Sequence, residues 1–281
     1  MSTTKMNGVQ AVNAAIRQKM AEDAKVILLG EDCADREGGG VFGTSKGLST
    51  EFGDDRVKST PISEQAIIGA AIGAAIGGYK PIADIMLMNF TTVAMDMIVN
   101  HAAKLRFMSG GQTGVPITIY TATGAGGGTG GQHADHLEAW FCHTPGIKVV
   151  APSNPTDFKG LMLSCIDDPD PCMMIMNFFT MRGVTEEVED DLAPIPLGKA
   201  KVLQEGNDVT VVAYSASVIR ARQAVQTLTD EGVSVEFIDL RTVAPWDRET
   251  VLASVRKTGR AVVVQEGPMT FFKQKTAYEI C

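Results

Sequence analysis

The chain has 281 residues, enough for two domains of common size, each with its own core. Its 33 acidic and 25 basic side chains leave a net charge of -8, which argues against nucleic acid or an anionic membrane as the main partner. No apolar run reaches the ~18 uninterrupted residues of a membrane span, and the polar N-terminus lacks the apolar core of a signal peptide. The cysteines Cys33, Cys142, Cys165, Cys172 and Cys281 form no CxxC pattern and read as reduced thiols of a cytoplasmic protein.

In chain order, Val9, Val12, Ala15, Ile16 and Met20 recur at helical spacing, predicting an amphipathic helix from Asn7 to Glu22. Val26-Ile27-Leu28-Leu29 then reads as a buried parallel strand opening into Gly30-Glu31-Asp32, where α/β proteins put their sites. Asp35 to Ser49, with three consecutive glycines, reads as a mobile loop. Thr60-Pro61-Ile62-Ser63-Glu64-Gln65 leads into the apolar run Ala66 to Gly78, a buried helix that Ser63 is placed to cap. Glu64 stands at its mouth, either as a stabilising first-turn charge or as a working acid. Gly69, Gly73 and Gly77 share one face of this helix. Glycine costs ~1 kcal/mol against alanine in a helix, so that face predicts close approach of another helix at a subunit or domain contact.

Strands are predicted at Pro81 to Met86, Val115 to Tyr120, Ile147 to Val150 and Met173 to Met176, with helices at Thr91 to Phe107 and Pro155 to Ile166. The pattern is a parallel α/β domain, residues 1–182, with helices on both faces. Residues 183–198 hold five acidic side chains and two prolines and read as a linker. Beyond them, strands at Val209 to Ala213, Val233 to Ile238 and Ala261 to Val264 alternate with helices from Ala216 to Glu231 and after Trp246. This is a second, smaller α/β unit, residues 199–268, which ends early.

Several constellations invite chemistry. Gly126-x-Gly128-x-x-Gly131 follows a strand, but the segment is so glycine-rich that the dinucleotide pattern is nearly automatic, and no ribose-binding acid follows; a loop that can approach a ligand is favoured. His133-x-x-His136 beside Glu138 has the wrong spacing for two zinc ligands on one helix face. His133, closing the glycine loop, is a candidate for proton transfer, against the plainer reading of an imidazole donating to a nearby carbonyl. Ser254-x-x-Lys257 lies in a charged helix and matches a nucleophile motif by chance. No phosphate loop and no convincing Ser/His/Asp grouping occurs.

At Gly30-Glu31-Asp32, Thr60-Pro61-Ile62-Ser63-Glu64, Asn89-Phe90, Met108-Ser109-Gly110-Gly111, Gln132-His133 and Pro145-Gly146-Ile147-Lys148-Val149-Val150, the chain closely resembles one family. Further matches are Ile195-Pro196-Leu197-Gly198-Lys199-Ala200, Asp239-Leu240-Arg241-Thr242 and Gln265-Glu266-Gly267. The family is the beta subunit of the thiamine-diphosphate-dependent 2-oxo acid dehydrogenase component of the pyruvate, acetoin and branched-chain complexes, and the resemblance spans about residues 6–268.

The resemblance implies a transketolase-like pyrimidine-binding domain over 1–182 and a transketolase C-terminal domain over 199–268. It implies an α2β2 heterotetramer with thiamine diphosphate between the α and β subunits. Glu64 then faces N1′ of the aminopyrimidine, where a carboxyl sharing its proton activates the cofactor that serves as electron sink for CO2 loss. Phe90 is implied as the aromatic packed on the pyrimidine, with Glu31 and Met86 lining the same pocket. His133 is implied on the substrate side, in proton or acyl transfer, the acyl group passing to lipoamide on the acyltransferase component. Ile117, Cys165, Ile166, Asp168 and Asp170 match a structural potassium site of some members, formed mostly by backbone oxygens. The Gly-Asp-Gly…Asn-Asn pattern that holds the diphosphate and Mg2+ does not occur here, so that half falls to the α subunit and this polypeptide is expected to be inactive alone.

The chain departs from the family after Glu266-Gly267-Pro268. Residues 269–281 match nothing in it, where roughly fifty more residues, enough to complete an α/β unit, are expected. This tail reads as an artefact of sequencing or assembly, expected to be disordered or to pack without a family-like contact and to weaken association with α. The alternatives are an acetoin dehydrogenase beta subunit, a transketolase-like or deoxyxylulose-phosphate-synthase-like enzyme, which carries both cofactor halves on one chain, and a non-catalytic α/β scaffold. A neighbouring gene with the Gly-Asp-Gly…Asn-Asn pattern discriminates for the dehydrogenase. Which 2-oxo acid is used is not written in this chain.

Overall fold

The structure, a computed structural model, describes residues 2–125 and 128–267. The expectations for the tail, residues 269–281, lie outside them.

Strand β1 (Thr3–Asn7) runs into helix α1 (Gly8–Glu22), whose start is closed by a reciprocal pair: Gln10 N donates to Asn7 Oδ1 and Asn7 N to Gln10 Oε1, 2.9 Å each. All five apolar residues that predict this helix are buried. There follow β2 (Val26–Gly30), α2 (Leu48–Phe52), β3 (Val57–Ser59), α3 (Glu64–Ile76) and β4 (Lys80–Leu87). Next come α4 (Leu105–Met108), β5 (Thr118–Thr123), α5 (Glu138–Cys142), β6 (Lys148–Val150), α6 (Pro155–Asp167), β7 (Cys172–Asn177), α7 (Phe178–Gly183) and β8 (Thr185–Glu189). The remaining elements are β9 (Lys201–Gln204), β10 (Val209–Ala213), α8 (Ala216–Asp230), β11 (Val235–Asp239), β12 (Thr242–Ala244), α9 (Arg248–Thr258) and β13 (Ala261–Val264). No helix among the described residues is long and apolar enough to cross a membrane.

The large sheet has the order β12-β6-β7-β5-β4-β2-β3, parallel except for β12. One of its faces packs on α1 and α6, the other on α3. The second sheet, β13-β10-β11-β9, is parallel except for β9. The fold is thus a pair of α/β units, each built on a mainly parallel sheet.

Three local expectations are corrected. The helix expected over Thr91 to Phe107 is broken into a 3-10 turn (Met88–Thr92), a π-helical turn (Met97–Ala102) and α4. Residues 35–49, read as mobile, are tied down by Asp35, which accepts from Ser49 Oγ at 3.0 Å and from Thr50 N at 2.8 Å. Burial would raise its carboxyl, but these bonds, with Thr50 Oγ1 and Gly47 N, prevail and hold it at about 2. Ser63, the expected cap, makes no side-chain bond to the first turn of α3. On the glycine face of α3, Gly69 has Met97 of the π-helical turn 3.6 Å from where a Cβ would lie, while a Cβ at Gly73 would meet nothing within 4 Å.

The segment read as the linker carries structure of its own. Within it, β8 pairs antiparallel with β1, and the buried Lys159 ammonium donates to Glu189 O (2.8 Å) and Asp190 O (2.7 Å). The acidic run is therefore latched onto the first domain. The second unit is not self-contained either: β12 extends the large sheet beside β6, and Val212, Tyr214, Ile238 and Leu240 join the first domain's core. Beneath this junction Arg241 pairs with the fully buried Asp157 at 2.7 Å.

Candidate active site

The carboxyl ends of β2 and β4 and the start of α3 converge. Thr60 N donates to Gly30 O at 2.9 Å, tying the segment that leads to Glu64 onto the end of β2. Glu31 follows immediately, and Asp32 takes a left-handed conformation (φ 53) as the chain turns away. Glu31 Oε1 is buried without a hydrogen-bond partner among the described residues. Burial raises the Glu31 carboxyl above its ordinary range, and the negative charges of Glu64 and then Asp32 add to the shift. The structure therefore brings Glu31 and Glu64 within electrostatic reach of each other. Glu64 itself is half-exposed on an open face, with Ile62 83 % exposed just before it.

Phe90 lies on the 3-10 turn that ends β4, because the apolar strand runs out at Leu87 and the chain must fold back. Its ring meets the His133 imidazole edge-on, centroids 5.6 Å apart. Among the described residues the segment carrying His133 runs without helix until α5, whereas a dinucleotide fingerprint would need a helix opening directly after the glycines. It is held from the sheet by a reciprocal pair: Asn89 Nδ2 donates to Asp135 Oδ2 (2.6 Å) and Asp135 N to Asn89 Oδ1 (3.2 Å). Thr123 Oγ1 donates to Asp135 O at 2.7 Å. Beside His133 opens a pocket of about 330 Å³ lined by Val41, Phe42, Leu87, Phe178 and Arg182. It is apolar, with one guanidinium over the Phe42 ring. Met86 is half-buried on β4.

Beneath the two glutamates lies a group that sequence reasoning missed. Asp84, fully enclosed, accepts from Tyr120 Oη at 2.7 Å, with Cys33 Sγ 3.9 Å away and Thr44 Oγ1 3.1 Å from the same phenol. Burial pushes its carboxyl up to about 7, the Tyr120 and Cys33 bonds oppose this, and the charge of Glu31 adds to it. An acid inside an otherwise apolar strand was the available signal, since such residues are rarely buried without a role or a partner. Asn89 and Asp135 were legible only as part of a motif; their pairing is a product of the fold.

The residues matched to potassium fall elsewhere. Asp168 pairs with Lys148 Nζ at 2.7 Å and Asp170 with the Arg106 guanidinium. Ile117 O accepts from Cys172 N at 2.9 Å and Cys165 O from Asp168 N at 3.4 Å. Both carboxylates thus carry cations of the chain, and an ion there would depend on backbone oxygens.

The structure thus brings together two pairs, Glu31 with Glu64 and Phe90 with His133: carboxyls that can accept from N–H donors, and an aromatic face beside an imidazole, are the kinds of group that suit a flat heteroaromatic ring. Such a set can share a proton with the ring and receive or return one on the His133 side.

Comparison with known proteins agrees with this geometry. The family model of the transketolase pyrimidine-binding domain matches residues 4–177, and that of the transketolase C-terminal domain matches residues 198–271. The chain is 44 % identical over 261 residues to the pyruvate dehydrogenase E1 component subunit beta of Staphylococcus epidermidis, covering 93 % of this chain and 80 % of that one. It is 42 % identical over 275 residues to the mitochondrial pyruvate dehydrogenase E1 component subunit beta-1 of Oryza sativa subsp. japonica, covering 97 % and 72 %. Among solved structures, a split-gene transketolase described as an inactive beta4 tetramer superposes with a TM-score of 0.76 at 22 % identity, over 93 % of this chain and 80 % of that one.

Proposed function

The chain belongs to the family of pyruvate dehydrogenase E1 component beta subunits, built from transketolase pyrimidine-binding and C-terminal domains, and from that membership we propose that it supplies the pyrimidine half of a thiamine diphosphate site completed by an α subunit. One observation supports the reading: Glu31, its Oε1 buried and unpaired among the described residues, and the half-exposed Glu64 lie within electrostatic reach of each other and make a two-carboxyl cradle where β2 ends and α3 begins. Next to it, Ala66, Ala70, Gly73 and Gly77 leave a stripe of small, exposed residues along α3. A second chain can approach that stripe closely and close the site, giving the α2β2 assembly expected of the family.

When bound, thiamine diphosphate supplies the electron sink for decarboxylation. The roles of this chain follow from its geometry. Glu64 would lie against a ring nitrogen of the cofactor and share a proton with it, flanked by the Glu31 carboxyl, which burial and then the charge of Glu64 raise above its ordinary range. Phe90 would pack against the ring and exclude water from one side. His133 stands over the apolar pocket, placed to move a proton as the substrate reacts and as the acyl group leaves for lipoamide. Met86 borders the same strand end. The diphosphate and its Mg2+ fall to the α subunit. The potassium set does not require an ion for charge balance, because Lys148 and Arg106 already neutralise its carboxylates, and no step here uses one. A cytoplasmic place belongs to the same reading.

The test is reconstitution with the α subunit and thiamine diphosphate, assaying decarboxylation of pyruvate, of branched-chain 2-oxo acids and of acetoin in turn. Cofactor-dependent turnover of pyruvate that requires both chains is expected. Turnover by this chain alone, or none with any partner that binds it, would overturn the reading.

A further inference from the structure

The His133 segment is held from the large sheet by Asn89 and Thr123, as described. A second hold comes from the other domain. Glu266, just past β13, is almost wholly buried, with its side chain 8 % exposed. Its Oε1 accepts from Ala125 N at 3.1 Å and its Oε2 from Asn177 Nδ2 at 2.9 Å. The same Oε1 lies 3.4 Å from His136 Nε2 and 3.9 Å from the Arg220 guanidinium. One carboxylate thus grips both sides of the segment that presents His133: Ala125 before it and His136 three residues after it. A buried carboxylate is costly unless its lone pairs are filled; here a backbone amide and a side-chain amide donate to it, and the His136 imidazole and the Arg220 guanidinium stand close by. Three of those four groups belong to the first domain, so the contact gains its value only when the second domain is docked.

We propose that Glu266 is a positioning residue, by which the C-terminal domain holds the His133 segment in the geometry that acyl transfer needs. The catalytic side of this statement rests on the reading of His133 given above; the mechanical side does not. His133 itself touches none of these groups, so the effect passes through the backbone on either side of it. The domain that contributes no group to the pyrimidine cradle thereby acts on the substrate side of the site.

The experiment measures amide hydrogen exchange over residues 128–137 in the full chain without cofactor or partner, then acyl transfer in the reconstituted pair. In Glu266→Ala, exchange over this segment should quicken roughly ten- to a hundred-fold, the range for losing buried bonds to a charged acceptor. In Glu266→Gln the amide oxygen still accepts from Ala125, and most of the protection should return. In His136→Gln the gain should be confined to the His133 side. In the reconstituted pair, acyl transfer to lipoamide should fall by roughly ten-fold or more in Glu266→Ala, as small misplacements of a reacting group do. Decarboxylation read with an artificial electron acceptor should change less. The exposed Glu249→Ala serves as control. Unchanged exchange in a folded Glu266→Ala chain overturns the proposal, as does quickening spread evenly over the second domain, which marks a merely structural residue. If Glu266→Ala does not fold, Glu266→Gln and His136→Gln decide by the same criterion. A loosened segment with acyl transfer intact removes the positioning role. An inactive wild-type pair with the exchange result intact would instead refute the functional reading and leave the grip standing.

Discussion

Substitution at Gly73 should have opposite effects on folding and on assembly. A Cβ built at Gly73 meets nothing within 4 Å, and the residue is not in the left-handed region, so a side chain enters open space without strain. In the isolated chain, Gly73→Ala should then stabilise α3 by about 1 kcal/mol, the helix preference of alanine over glycine. That corresponds to a rise in Tm of about 2–4 °C for a protein of this size. Gly73→Leu should behave similarly on its own. Against an α subunit seated on the stripe formed by Ala66, Ala70, Gly73 and Gly77, the same leucine occupies space that a neighbouring backbone needs. Overpacking costs roughly 1–3 kcal/mol, which is about a five- to 150-fold loss of affinity. Scanning calorimetry of the isolated chain and a sedimentation titration with α measure the two effects separately. A lowered Tm would show that Gly73 packs within the chain. Unchanged affinity in Gly73→Leu would refute α3 as the assembly face.

Glu64→Gln in the reconstituted pair should leave assembly intact and lower cofactor-dependent turnover by roughly 10²–10⁴-fold, since glutamine fills the volume but cannot share the proton; near wild-type turnover in a steady-state assay would contradict its role. His133→Ala should impair acyl transfer to lipoamide more than decarboxylation, so equal rates with lipoamide as acceptor would remove it from the chemistry. Asp84 binds its proton more tightly folded than unfolded, its carboxyl standing at about 7 against an ordinary 3.8. Its contribution is therefore full below pH ~4 and is lost as pH rises through about 7, and Asp239, at about 6, adds the same sign. Asp84→Asn should flatten the fall in stability between pH 5 and 7.5, as read by urea unfolding, though Asp239 keeps part of it. Arg241→Ala strands the buried Asp157 carboxylate and should destabilise the chain by roughly 3–5 kcal/mol; Arg241→Ala combined with Asp157→Leu should recover most of that loss in the same assay.

The sequence by itself determined the elements whose apolar residues repeat with a clear period. Val9 to Met20 could only bury one stripe of a helix, and the apolar runs ending at Leu29 and Met86 could only be buried strands opening into loops. Glu31 was legible at such a carboxyl end, Glu64 at the mouth of a helix and His133 at the close of a glycine loop, while Phe90 was named through the resemblance alone. What it could not determine were relations between residues far apart. The Asn89–Asp135 pair, the proton-retaining Asp84 under Tyr120 and the Glu266 grip each join groups separated by tens of residues or more. A polar residue's partner is chosen by where the backbone brings it, and no local period records that. Ser63 shows the same limit at short range: its type suits a helix cap, but its backbone angles (φ -166, ψ 82) accompany a side chain that makes no such bond. Strand β12 shows it at the level of domains, since three residues in the second unit complete the first unit's sheet beside β6. Sequence supplies the hydrogen-bonding edge of a short strand, and only the docking of one layer on another selects which open edge receives it.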